Sequence, residues 1–223
     1  MIIRLDDEIW FPDPHKGEDD GLFAVGGDLS VDRLLLAYSN GIFPWYAFRE
    51  KEASFIYNGK TEIMWWCPMD RFVIFPEEVH ISHSMRNLFN KDKYKVTVDQ
   101  DFPNVIKNCS ELRIQHEGAW LGPHIIEAYT KLHELGYVIS VEVWNEENKL
   151  AGGFYGVLIG SCFCGESMFS LEKDTSKLAL ITFAKRFAEI GGKMIDCQFE
   201  TSHLLSMGGK HISYDEYMKI LKS

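Results

Sequence analysis

Three polar residues stand where apolar ones would ordinarily sit. Residues 193–198 read KMIDCQ, after a Gly191-Gly192 turn. Met194 and Ile195 open what reads as a buried strand, and Asp196 and Gln198 follow two positions apart. A regular strand alternates its side chains, so the carboxylate and the carboxamide share one face. An unpaired buried polar group is costly. The pair is therefore a strand end meeting solvent, a set satisfied by neighbours, or a site that orients or deprotonates an amine. Glu166, in CFCGESMFS, is the third. It reads either as a buried Glu paired with a Lys or a backbone amide, or as a carboxylate that holds an ammonium. Strict alternation sends Phe163 and Met168 to opposite faces, whereas a bulge at Gly165 turns both toward one pocket. A carboxylate beside such a pocket would recognise an amino acid with an apolar side chain.

Two further sets bear on binding. Phe43, Trp45, Tyr46, Trp65, Trp66 and Trp120 are aromatics near turns. Each can be core filler, or can stack on a nucleobase. The basic residues form two modest islands, Arg71, Arg86, Lys91, Lys93 and Lys95, then Lys173, Lys177, Lys185, Arg186 and Lys193. They read as solvated helix faces or as a phosphate track. The formal net charge of −10 argues against nonspecific nucleic-acid binding and suits cationic partners.

The elements that must hold these residues read as mixed α/β. A helix over VDRLLLAYSNG is capped by Asp28 or Ser30 and ended by Gly41. IFPWYAF reads as an aromatic loop, residues 49–62 as an exposed excursion or hairpin, and EIMWWCPMDRFVIFP as two short strands broken by Pro68. HISHSMRNLFNKDKY is a helix capped by Ser82 or Ser84, and DFPNVIKNCSEL a short one. A soft boundary falls near residue 95. Beyond it, PHIIEAYTKLHELG is an amphipathic helix with Pro123 at its start and Gly136 after its end. YVISVEVW and LAGGFYGVLI are strands joined by the NEENK hairpin loop, and SCFCGESMF follows after Gly160-Ser161. SKLALITFAKRFAEIGG, KMIDCQF and SYDEYMKIL read as helix, strand and helix. This order resembles an acetyltransferase-like (GNAT) fold, an analogy that by itself settles no function.

The 223 residues, 46% hydrophobic and 25% charged, suffice for a substantial core. The N-terminus shows no secretory pattern, so a cytoplasmic protein is expected. The five cysteines lack zinc-site spacing and read as reduced thiols.

In order, GLFAVGGDLSVDRLLLAYSNGIFPWY, MWWCPMDR, HISHSMR, FCGESMFS, SKLAL, GGKMIDCQ and HLLSMGG resemble the leucyl/phenylalanyl-tRNA–protein transferases of bacteria. The resemblance spans roughly residues 10–220. It implies transfer of Leu, Phe or Met from aminoacyl-tRNA to the N-terminal Arg or Lys of an acceptor protein. The new peptide bond marks the product as an N-degron. It implies no coenzyme A, ATP or metal, because the aminoacyl ester is already activated. It also implies an α/β (α+β) chain with a small N-terminal domain (1–95) and an acetyltransferase-like catalytic domain (96–223).

By motif, Asp196 and Gln198 resemble the catalytic pair, with Asp196 as a candidate proton acceptor, and Glu166 the carboxylate near the aminoacyl group. Trp45 and Trp120 resemble the aromatics that hold the terminal adenine. Phe154, Phe163, Met168 and Phe183 match pocket positions, and Phe154 stands where some relatives have Met. Two other readings remain at this point, an acyl-CoA-dependent N-acyltransferase on the same fold and a noncatalytic tRNA- or peptide-binding module. Against the first, SLEKDTSKLAL lacks the glycine cradle a pyrophosphate needs.

Overall fold

The computed structural model describes residues 2–45, 56–57, 60–91, 93–116 and 123–223. Tyr46 and Trp120, both named above, lie outside these residues.

In chain order come β1 (Ile3–Leu5), β2 (Leu22–Gly26), α1 (Val31–Tyr38), β3 (Phe43–Trp45), β4 (Ile56–Tyr57), β5 (Lys60–Thr61) and β6 (Met64–Trp66). Four of these strands form a sheet in the order β1-β2-β6-β3, while β4 and β5 pair only with each other. The excursion over 49–62 thus contains a two-stranded ribbon. Phe43–Trp45, read above as loop, is an edge strand hydrogen-bonded to β6. Pro44 is tolerated there because an edge strand can spare an N–H.

Next come β7 (Asp70–Ile74), α2 (His83–Phe89), β8 (Lys95–Val98), α3 (Phe102–His116), α4 (Pro123–Glu134), β9 (Val138–Trp144), β10 (Leu150–Ile159), β11 (Cys162–Ser170), α5 (Thr175–Glu189), β12 (Met194–Asp196), α6 (Ser202–Leu205), β13 (Lys210–Ser213) and α7 (Tyr214–Leu221). Seven of the strands build a sheet in the order β13-β7-β12-β11-β10-β9-β8. Ser30 and Ser82 cap α1 and α2 through their hydroxyls. Gly41 and Gly136 take positive φ just beyond α1 and α4, where a side chain would be strained.

The large sheet is covered on both faces. One apolar cluster joins its Tyr155, Val157, Cys164 and Met194 to α1, α3, α4 and α7. The other joins Val141, Phe154, Phe163 and Ile195 to α2 and to Leu178, Ile181, Phe183 and Phe187 of α5. Burial on both sides explains the nearly continuous apolar run of β10.

β11 and β12 run parallel and pair only from Cys162↔Met194 to Cys164↔Asp196. β12 then ends, while β11 continues to Ser170 along β10. The two chains separate where pairing stops, which leaves a gap in the middle of the sheet.

Candidate active site

That gap is the floor of a cleft of about 450 Å³. One wall is Gly165–Ser170 of β11, and the other is the segment leading from Asp196 through Gln198 and Phe199 to Thr201. The register of β11 against β10 shifts at Glu166, since Tyr155 faces Ser167 and Gly156 faces Gly165. This is the bulge anticipated at Gly165. It returns Phe163 and Met168 to one face, and both line the cleft with Phe154, Leu180 and Ile195. Phe183 packs one layer behind, 5.5 Å from Phe154 and 4.6 Å from Phe163 between ring centres, and is not among the lining residues.

Glu166 also lines the cleft, and its carboxylate reaches the Tyr38 and Tyr129 hydroxyls beneath α1 and α4. Its Oε1 accepts from the Tyr38 hydroxyl at 2.7 Å and its Oε2 from the Tyr129 hydroxyl at 3.0 Å. The two hydroxyls also touch each other. Burial pushes the Glu166 carboxyl up to about 7, and the tyrosine hydrogen bonds only partly oppose it. The partners are thus phenols rather than a Lys or a backbone amide. Neither tyrosine was singled out in the sequence, where each reads as core filler on an amphipathic helix.

Asp196 and Gln198 do not share a strand face. β12 ends at Asp196, and Gln198 adopts a left-handed backbone with φ 58°. Two hydrogen bonds hold that unfavourable conformation, from the Gln198 N–H to Asp196 Oδ1 at 2.9 Å and from the Phe72 N–H to the Gln198 carbonyl at 3.3 Å. The Asp196 carboxylate is fully buried. Arg71 grips it with both arms, Nε to Oδ1 at 2.8 Å and Nη2 to Oδ2 at 2.6 Å, and the Tyr217 hydroxyl adds a bond to Oδ2 at 3.0 Å. Four donors therefore occupy the carboxylate. Gln198 is half-buried and lines the cleft.

Arg71, assigned above to a basic surface island, is 1% exposed. It is the counter-charge of Asp196, and its Nη1 donates to the Gly41 carbonyl at 2.9 Å. The sequence offers no sign of this, because the two residues are 125 positions apart. Other members of the islands are also engaged: Lys93 with Glu172, Lys177 with Asp174, and Lys185 over the Phe89 ring.

At the mouth, Trp45 is partly exposed and meets Trp66 at 5.6 Å and Phe199 at 5.4 Å between ring centres. Trp65 is fully buried and donates its indole N–H to the Gly26 carbonyl, so it is core. Cys197 lines the cleft, but burial pushes its thiol up, away from thiolate chemistry. Thr201, His203 and Leu204 complete the lining and were not proposed from the sequence.

Fold and cleft together define a mixed α/β protein with an apolar, side-chain-sized pocket flanked by a carboxyl and an amide. The chain belongs to the leucyl/phenylalanyl-tRNA protein transferase family: the family model matches residues 73–222, and the model of its N-terminal domain matches residues 27–69. The relatives named leucyl/phenylalanyl-tRNA–protein transferase include one from Syntrophobacter fumaroxidans, 45% identical over 99% of this chain and 89% of its own length. Another, from Flavobacterium psychrophilum, is 46% identical over 98% of both chains. One from Desulforapulum autotrophicum is 43% identical over 97% of this chain and 90% of its own. Among solved structures, L-PGS from Bacillus licheniformis aligns at 12% identity and a TM-score of 0.42, covering 82% of this chain and 57% of that one.

Proposed function

We propose that this protein transfers Leu, Phe or Met from aminoacyl-tRNA to the N-terminal Arg or Lys of acceptor proteins, creating an N-degron. Family membership supports the reaction. The observation that carries it to this chain is one cleft in which Phe154, Phe163 and Met168 adjoin Glu166 and Gln198. An apolar aminoacyl side chain fits the phenylalanine-walled pocket, with Phe183 as its backing. Glu166 holds the donor's α-ammonium. Trp45, with Trp120, holds the terminal adenine.

The reaction is aminolysis of an ester. It needs an oriented neutral amine and donors for the oxyanion that develops on the carbonyl. Gln198 supplies an amide beside the pocket. Asp196 acts through it: the buried carboxylate fixes the backbone that aims Gln198, and its occupied oxygens do not support a role as proton acceptor. A pocket shaped for an unbranched β-carbon disfavours Val and Ile, though shape alone discriminates by about 1–3 kcal/mol per methylene.

The acetyltransferase-like character of the C-terminal part is supported by the β9–β10–β11, α5, β12 order. The separate sheet within the first 66 residues supports a small N-terminal part, whereas β7 (Asp70–Ile74) pairs within the large sheet and runs against placing the boundary as late as 95/96. A cytoplasmic location suits a substrate made for translation. Among the described residues no helix is long and apolar enough to cross a membrane.

The test is direct. The protein is incubated with Phe-tRNA or Leu-tRNA and with peptides beginning in Arg, Lys or Ala. Transfer to the Arg and Lys peptides alone is expected, and no transfer with intact charged tRNA would reject the reading.

A further inference from the structure

With Asp196 saturated, the proton of the incoming α-ammonium needs another acceptor. The cleft continues past Gln198 to Thr201, His203 and Leu204, facing Ser170 and Ser176. His203 is the one imidazole among the described residues lining it. Its backbone is fixed on α6, a single turn capped by the Thr201 hydroxyl, which accepts from the Leu204 N–H at 3.2 Å. The Ser206 hydroxyl donates to the His203 carbonyl at 2.7 Å. The ring Nε2 is shielded from solvent and has no hydrogen-bond partner among the described residues. Buried polar atoms are nearly always partnered, so an unsatisfied one on a residue that lines a substrate cleft calls for an explanation.

We propose that His203 is the proton acceptor for the acceptor's α-amine, an inference that rests on the aminoacyl-transfer reading. Nδ1 carries the ring hydrogen and Nε2 offers its lone pair. The α-ammonium gives one proton to Nε2. The freed amine forms the C–N bond to the ester carbonyl, and a tetrahedral oxyanion results. Its collapse breaks the bond to the ribose oxygen of the terminal adenosine, and that oxygen takes the second proton from the new nitrogen. The imidazolium then releases its proton to water.

The surroundings fit this role. Burial first, then the charge of Lys177, draws the imidazole below its ordinary value, while Asp174 pulls weakly the other way. Both charged groups come from the start of α5 and pair with each other at 3.7 Å. His203 is therefore neutral near pH 7 and able to accept. Other candidates in the cleft are committed: Glu166 to two tyrosines and the donor's ammonium, Asp196 to Arg71, Tyr217 and the Gln198 N–H.

Single-turnover transfer of Phe from Phe-tRNA to an Arg-peptide, compared for wild type, His203→Asn and His203→Gln from about pH 6.5 to 9, tests this. An N-terminal α-amine has a pKa near ~8, so at high pH no base is needed. The variants should be slower by about tenfold or more at low pH, within the range of general-base catalysis, and approach wild type near pH 9. Phe-tRNA affinity should not change. A deficit of the same size at every pH marks a structural role and overturns the proposal, as does a variant equal to wild type at low pH. Should the variants unfold, wild type still decides: its rate must fall less steeply than the neutral-amine fraction below the amine pKa, and a rate that tracks that fraction overturns it. Wild type inactive at all pH values would instead reject the transfer reading itself.

Discussion

Glu166 carries a testable pH signature. Its carboxyl is pushed up to about 7 from an ordinary 4.5, chiefly by burial. Between those values the folded protein keeps a proton that the unfolded chain releases. This contribution to stability is fully present below the unfolded value and is lost as pH rises through about 7. Glu166→Gln should therefore melt above wild type near pH 8, with the gap closing toward pH 5, while its affinity for aminoacyl-tRNA drops. Thermal melts across that range check the first outcome and filter binding the second. Gln198 offers a cleaner separation. Its left-handed backbone suits glycine, so Gln198→Gly should cost no more than about 1 kcal/mol of stability. Loss of the amide should lower the transfer rate about 100-fold, the scale of removing one oxyanion donor. A variant that transfers normally would remove Gln198 from the chemistry.

The elements impose their own limits on the pocket. β10 and β11 lie so close at the bulge that Gly156 leaves no room for a methyl. A Cβ there would meet the Cys164 carbonyl oxygen at 2.3 Å and the Phe163 ring at 2.4 Å. Gly156→Ala should cost about 1–3 kcal/mol, the usual penalty of overpacking, and should shift Phe163 into the pocket. Urea melts give the first quantity. The ratio of Phe to Leu transfer gives the second, and it should move against the larger donor. Phe163 itself touches Phe154 and Phe183, so its truncation would damage core and pocket together and could not separate them.

At the scale of the molecule, the Arg71–Asp196 pair joins parts distant in sequence. It spans β7 and β12, receives Tyr217 from α7, and reaches Gly41 after α1. Removing one partner strands a buried charge, so Arg71→Met and Asp196→Asn should each cost about 3–5 kcal/mol. Denaturant titrations of both single variants and of an apolar double variant check this. The double variant should lose less than the sum of the singles, because no lone charge remains. Loss of transfer in Asp196→Asn would then be read beside its stability, since its carboxylate also fixes Gln198.

Much of this was legible one segment at a time. The caps of α1 and α2, the β9–β10 hairpin and the bulge that unites Phe163 with Met168 follow from local patterns: capping hydroxyls, turn residues, and alternation with one residue too many. Segments whose pairing is purely nonlocal were missed. β8 and β13 carry weak periodicity and exist because β9 and β7 offer them an edge. KMIDCQF reads as one strand, yet β12 stops at Asp196, because nothing local reveals that it loses its β11 partner there. A lone Arg reads as a surface charge, and the counter-charge that lets Arg71 be buried lies 125 residues away. Sequence alone determined the kinds of residue present, the helices with caps, and the ordered motifs that mark the family. Tertiary structure alone decided that Asp196 is a buried anchor, that two tyrosines flank Glu166, and that His203 opens onto the cleft. Those outcomes depend on which groups meet across the sheet, and burial and pairing are set by neighbours in space, not in sequence.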